Sequence, residues 1–142
     1  MKYALAFILA MILITAKVIG AETNLAVTTI SETSAVLADL TNDTTNGNKL
    51  ANPNGDLFVV LYNGGADTNT ATFTAQKTSH SVPGYGTMTK SNNTVTLLTG
   101  ARQIVGPFRS SAWNNSTGYV ILNFAGTSSN AIKVSPLRVP VQ

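Results

Sequence analysis

One run of residues, Asp56-Leu57-Phe58-Val59-Val60-Leu61-Tyr62-Asn63-Gly64-Gly65, limits what this chain can fold into more than any other stretch. Its centre is aliphatic or aromatic at almost every position, and Asn54-Gly55 before it and Asn63-Gly64-Gly65 at its end supply turn residues. A short apolar run closed by turns at both ends predicts a strand buried on both faces. Downstream, Asn69-Thr70-Ala71-Thr72-Phe73-Thr74-Ala75-Gln76-Lys77 alternates small or apolar residues with polar ones, the pattern of a strand with one face in water. The two runs are expected to be antiparallel neighbours.

A core built on such strands needs a polar surface, and here that surface carries few charges. Asp, Glu, Lys and Arg make up 11% of the 142 residues, against 20 Thr, 14 Asn and 11 Ser. Thr suits a half-buried pleated face and Asn suits turns, while both are mediocre helix formers. The formal net charge of +3 rests partly on Lys2 and Lys17; from Glu22 onward seven basic residues face six acidic ones. They are scattered singly, with no basic stripe interleaved with aromatics, so nucleic acid is not an expected partner. Without cysteine there is neither a disulfide framework nor a thiolate metal site.

The rest of the chain reads as short strands and turns. Glu22 to Ile30 and Ala35 to Ala38 are expected as short strands or an extended arm, and Thr41 to Asn54, rich in Asn, Gly and Pro, as a loop. Thr78 to Asn93, containing Pro83-Gly84-Tyr85-Gly86, reads as a long excursion at one end of the sheet. Strands follow at Thr94 to Leu98, at Gly100 to Phe108, where Gly106-Pro107 must interrupt pairing, and at Tyr119 to Ala125 after an Asn114-to-Gly118 turn. Ala131 to Val134 and Leu137 to Val139 close the chain, with Pro136 and Pro140 marking edges. The expected fold is all-β: an antiparallel β-sandwich or small jelly-roll-like barrel of about seven to nine strands, since one-sided sheets must bury their apolar faces against each other. Residues 22–142 form its single domain.

Residues 1–21 stand apart. Met1-Lys2-Tyr3 and then thirteen mostly apolar residues, Ala4 to Ala16, have the form of a secretory signal. The run is short of the roughly twenty residues that a membrane span wants, so membrane contact is expected only if it stays as an anchor. Three readings stand: a signal cut after Gly20 or Ala21, a retained arm or helix docking on a partner subunit, and a true start at Met11, with Met11 to Ile19 as the first strand.

Chemistry has little to work with. The six carboxylates, Glu22, Glu32, Asp39, Asp43, Asp56 and Asp67, mostly lie beside turn residues, where Asp caps backbone rather than pairing for acid–base work. His80, the only histidine, sits in a polar loop between Ser79 and Ser81, and no Gly-x-Ser-x-Gly elbow accompanies it. One histidine and no cysteine do not make a zinc site, and no cofactor is expected. Four Asn-x-Ser/Thr acceptor patterns, beginning at Asn42, Asn92, Asn114 and Asn115, are what chance gives in so Asn- and Thr-rich a chain. Tyr85, Pro107, Phe108 and Trp113 are the candidate protein-interface residues. Trp113 and Phe108 either fill the end of the core or form a contact surface, and with Tyr85 and Tyr119 they could also make a sugar-stacking platform.

Taken in order, Asn46-Gly47-Asn48-Lys49, the run from Gly55 to Ala66, Arg102-Gln103-Ile104-Val105-Gly106-Pro107-Phe108, Trp113-Asn114-Asn115, Gly118 to Phe124 and a closing Ile132 to Val139 form a layout. Over about residues 44–139 it resembles the small tailed-phage head decoration, or cement, proteins. The resemblance implies a non-enzymatic β-sandwich on the outside of an icosahedral head, bridging capsid subunits, with the major capsid protein and copies of itself as partners. It also implies a homo-oligomer located in the virion. The apolar N-terminus departs from that family, whose members start close to the first strand. A secreted surface or fibre subunit of a prokaryote is the alternative, and a carbohydrate-binding module stands behind it.

Overall fold

The computed structural model describes residues 20–30, 36–84 and 86–139. The expectations for residues 1–19, Ala35, Tyr85 and Pro140 lie outside them. In chain order the strands are β1 (Thr23–Leu25), β2 (Thr28–Thr29), β3 (Leu40–Thr41), β4 (Asn48–Ala51), β5 (Leu57–Asn63) and β6 (Asn69–Thr74). They continue as β7 (Ser79–Val82), β8 (Gly86–Thr89), β9 (Asn93–Leu97), β10 (Arg102–Phe108), β11 (Tyr119–Ala125) and β12 (Ile132–Arg138). One helical turn, α1 (Ser110–Trp113), precedes β11.

Two sheets face each other across one core. The first has the order β1-β4-β11-β6-β9; the second runs β10-β5-β12-β2, with β3 also paired to β12. Period-two alternation turns Leu50, Ala71, Phe73, Leu97, Val120 and Leu122 of the first sheet inward. Leu57, Val59, Leu61, Ile132 and Val134 of the second meet them. The fold is therefore the expected all-β sandwich. Its main strands are antiparallel, whereas β1 and β2 pair parallel to β4 and β12. The strand count exceeds the expected one because β1, β2 and β3 have only two or three residues each.

The apolar run is β5, an inner strand of the second sheet between β10 and β12; Leu57, Val59 and Leu61 turn to the core, and on the other face Val60 is buried between half-buried Phe58 and Tyr62. Its expected partner is wrong. β5 and β6 are consecutive but lie in opposite sheets, because both edges of β5 are already taken and the Gly64-to-Thr68 connection crosses the sandwich. That crossing sets the apolar face of β6 against that of β5, so both faces are buried at once.

Three further expectations are corrected. The presumed loop from Thr41 to Asn54 contains β4, whose inward residues are Leu50 and, unexpectedly for an amide, Asn48. Of the two readings for Ala35 to Ala38, the short strand is not formed by Val36 to Ala38: Val36 is 86% exposed, and pairing begins only at Leu40. Pro136 does not mark an edge but lies inside β12, opposite Val59. On the far side of β12 the partners are β3 at Lys133 and Val134 and β2 at Leu137 and Arg138, leaving Ser135 and Pro136 in the gap between them. A residue without an N–H fits where no ladder partner is waiting. Gly106-Pro107 does interrupt pairing: the β10–β5 register shifts between Val105 and Phe108.

The crossings are held by buried asparagines. Asn48, Asn52 and Asn63 have no exposed surface, and each ties a connection to a strand from elsewhere in the chain. The Nδ2 of Asn48 donates to the carbonyls of Asp43 (3.0 Å) and Leu122 (3.3 Å), and its Oδ1 accepts from the Asp43 N–H at 2.8 Å. Asn52 donates to the Phe108 carbonyl at 2.6 Å and to Asn114 Oδ1 at 2.8 Å, and accepts from the Leu57 N–H at 3.2 Å. Asn63 donates to the carbonyls of Asp67 (2.8 Å) and Leu97 (2.9 Å) and accepts from the Gly65 N–H (3.0 Å) and Asn69 Nδ2 (3.2 Å). Backbone groups in a crossing have no ladder to join, and an unpaired buried one is expensive, so these amides replace the missing sheet.

Asn63→Ala removes a partner from the Asp67 carbonyl and the Gly65 N–H of the β5–β6 crossing and from the Leu97 carbonyl of β9. It is expected to lower stability by about 2–4 kcal/mol in urea denaturation, against about 0.5 or less for exposed Asn130→Ala. Asp43 gives a pH dependence. Its carboxylate accepts from the backbone of Asn46 and Thr45 and from the Thr23 hydroxyl, and these bonds lower its pKa from the ordinary 3.8 to about 2. A depressed carboxylate stabilises the fold above its unfolded pKa and loses that contribution as pH falls through the folded one. The melting temperature should therefore drop between about pH 4 and pH 2, and Asp43→Asn should flatten that limb.

Candidate functional site

One end of the sandwich is shaped differently from the rest. Gly106 has φ +136°, and a Cβ there would stand 2.7 Å from the Leu57 carbonyl oxygen, so only glycine lets β10 pass this close to β5. Pro107 follows, exposed, and the register shift then turns Phe108 into the core. Arg109 is the N-cap of α1, whose single turn is closed by the Trp113 N–H donating to the Arg109 carbonyl at 3.1 Å. Asn52 holds the Phe108 carbonyl on one side of this segment, and Asn114 Nδ2 returns a bond to the Asn52 carbonyl at 2.7 Å on the other. The result is a ridge fixed at both feet.

A groove runs on each side of the ridge, and Ser111 belongs to both. The first, about 510 Å³, is lined by Gly55, Asp56, Phe58, Pro107, Arg109 and Val139 among others. Asp56 is ion-paired there with Arg138 at 3.2 Å, which makes the groove mixed in character. The second, about 570 Å³, lies between α1 and the β7–β8 hairpin and is lined by Lys77, His80, Met88, Lys90 and Ala112 with neighbouring hydroxyls. Lys90 Nζ stands 4.2 Å from the centroid of the Trp113 ring, a cation–π contact that holds a flexible side chain in place.

The four interface candidates part company here. Pro107 is exposed and lines the first groove. Phe108 and Trp113 are only 2% and 8% exposed, so they fill the end of the core rather than meet a partner. Phe108 stacks at 4.5 Å on Phe73 from the opposite sheet and takes Trp113 edge-on at 5.3 Å, an arrangement that suits aromatic quadrupoles. With its ring buried and Lys90 over it, Trp113 offers no open face for a sugar, and Tyr85 lies outside the described residues.

Catalytic groups are dispersed. Among the described residues no three His, Cys, Asp or Glu side chains come together as a metal-binding group. His80 is exposed on β7 opposite Met88, and the ion pair found among the described residues is Arg138–Asp56. Asp39 accepts from the Ser135 hydroxyl at 3.0 Å and Asp43 caps its turn, each alone. Asn42 and Asn114, within the acceptor patterns, spend their amides on the carbonyls of Ser129 and Asn52. No helix among the described residues is long and apolar enough to cross a membrane.

Lys77, Met88 and Lys90 were not singled out from the sequence. A signal was present: Pro83-Gly84 is a hairpin turn midway between the two lysines, and folding there sets Lys90 opposite Thr78, whose carbonyl its N–H reaches at 2.7 Å. No family model, curated protein or solved structure matches the chain.

Proposed function

We propose that the protein is a non-enzymatic structural subunit that decorates the outside of a phage capsid and stabilises it by bridging capsid subunits, alongside copies of itself. The observation that carries this reading is the shaped end: a ridge clamped by Asn52 and Asn114, a groove on either side, and a hairpin projecting beside it. Such relief on a thinly charged surface suits recognition by shape, and among the described residues no acid, base and nucleophile are gathered. Many copies on a symmetric shell would let modest single contacts add up. The layout from Asn46 to Val139, similar to that of head decoration proteins, supports the same reading.

A second reading, a secreted surface or fibre subunit, is favoured by one observation. Among the described residues β10 pairs with β5 alone, so none of them occupies its other edge, and Ile104 of β10 is 71% exposed. The described chain begins at Gly20 beside β1, the opposite edge of the first sheet from β9, to which β10 is joined by the turn from Leu98 to Ala101. The apolar sequence that precedes Gly20 and an edge that no described strand occupies are the two halves that strand addition between copies needs.

Purified protein added to expanded heads is expected to bind them and raise their rupture temperature; unchanged rupture at saturating protein removes the decoration reading. For the fibre reading, the full chain should assemble in light scattering while a chain starting at Gly20 stays monomeric. Equal assembly of both would discard strand donation.

A further inference from the structure

The β7–β8 hairpin has no sheet to lean on. Among the described residues its strands pair only with each other, and seven of their eight residues are exposed. A two-stranded hairpin in water is marginal by itself, so this one depends on its root or on a partner. The root is well held. The N–H groups of Gln76 and Lys77 both donate to the Ala112 carbonyl, at 3.2 and 3.3 Å, and the Ala75 N–H donates to Asn92 Oδ1 at 3.0 Å. The hairpin is thus strapped to α1 at its base while its strands stand free above the second groove.

The charge in that groove is unbalanced. Lys77 and Lys90 line it, and no carboxylate does. Asp56 is paired with Arg138 in the other groove, Asp43 is engaged with Thr23, and Asp39 with Ser135. Lys90 is held over an indole, and among the described residues no carboxylate pairs with it, so its charge is positioned without a counter-ion from them. Beside the ammonium groups lie Met88, 65% exposed, and Ala112. A complementary ligand carries carboxylates for the lysines and an apolar side chain for Met88.

We propose that this groove takes an extended acidic segment of a partner protein, its carboxylates on Lys77 and Lys90 and an apolar side chain against Met88. This deepens the structural-subunit reading and rests on it, naming the chemistry of the surface the subunit binds. Met88 fits thioether-to-aliphatic packing, and its unbranched chain adapts to irregular partners. Two cations with an apolar flank suit a peptide better than a nucleic acid, which calls for a longer row of cations along its phosphates.

The test uses the full chain and a fluorescein-labelled peptide, Ser-Glu-Leu-Asp-Glu-Leu-Ser, followed by anisotropy. Saturable binding is expected at low salt, weakening as NaCl rises from about 20 to about 300 mM. Lys77→Glu/Lys90→Glu should weaken it at least about tenfold, and Met88→Ser less, while the charge-matched pair Lys49→Glu/Lys133→Glu, remote from the groove, should bind as the parent does. Lys77→Glu alone, which leaves the Trp113 contact in place, guards against misfolding of the double variant and should still lose affinity. Absence of binding at low salt, equal loss in the remote pair, or tighter binding of a labelled oligothymidylate would each overturn the proposal. Heads stabilised as well by Lys77→Glu/Lys90→Glu as by the parent would overturn this groove alone. Peptide binding with heads left unchanged would instead discard the decoration reading and leave the groove chemistry standing.

Discussion

The structure depends on amide side chains that stand in for sheet where the chain leaves it. A sandwich whose strands alternate between two sheets must carry backbone across the core edge repeatedly, and each crossing leaves donors and acceptors with no ladder. Few charges and no cysteine are available to hold these places. Asn48, Asn52 and Asn63 do so, each presenting two donors and one acceptor at the mouth of the core. Asn52 has the widest reach, since it joins the ends of β4 and β10 to the residue after α1 and thereby fixes the ridge between the grooves. The Asn-rich composition, which from sequence alone suggests only turns, is in part an interior feature.

What the sequence made legible was whatever apolar periodicity encodes. β5, β6, β9, β10 and β11 appear where the pattern places them, and the register break at Gly106-Pro107 follows from the missing donor of proline. What stayed hidden was decided by tertiary partners. β4 has one strongly apolar residue, Leu50, and becomes a strand because Asn48 finds three backbone groups to bond. Pro136 looks like an edge until two short strands are seen to leave a gap opposite it. Adjacency in sequence suggested that β5 and β6 pair, but strand edges are allotted by the whole fold. At the site, aromatic residues drew attention for their size, and that size is why Phe108 and Trp113 are buried. The residues left exposed around the two grooves are plainer ones, Pro107, Lys77, Met88 and Lys90.

That division gives the contact end a layered logic. Phe73, Phe108 and Trp113 form a rigid aromatic base; α1 and Pro107 sit on it as relief; Lys90 is carried on the indole face and so presents its charge from a fixed point. Ordering a lysine before a partner arrives removes part of the entropy that binding would otherwise lose.

The order of the strands also governs when the molecule can exist. β11 inserts between β4 and β6, and β12 lies against β5, so both sheets are closed by the last two strands of the chain. Pairings such as Asn48 with Leu122 and Leu57 with Arg138 must wait for residues far along the polypeptide. During synthesis the middle of each sheet stays open, with apolar β5 lacking one flank, until β11 and β12 have left the ribosome. Folding is then close to all-or-none, and a product cut short before Tyr119 retains neither sheet. Such a chain is either finished or not folded at all.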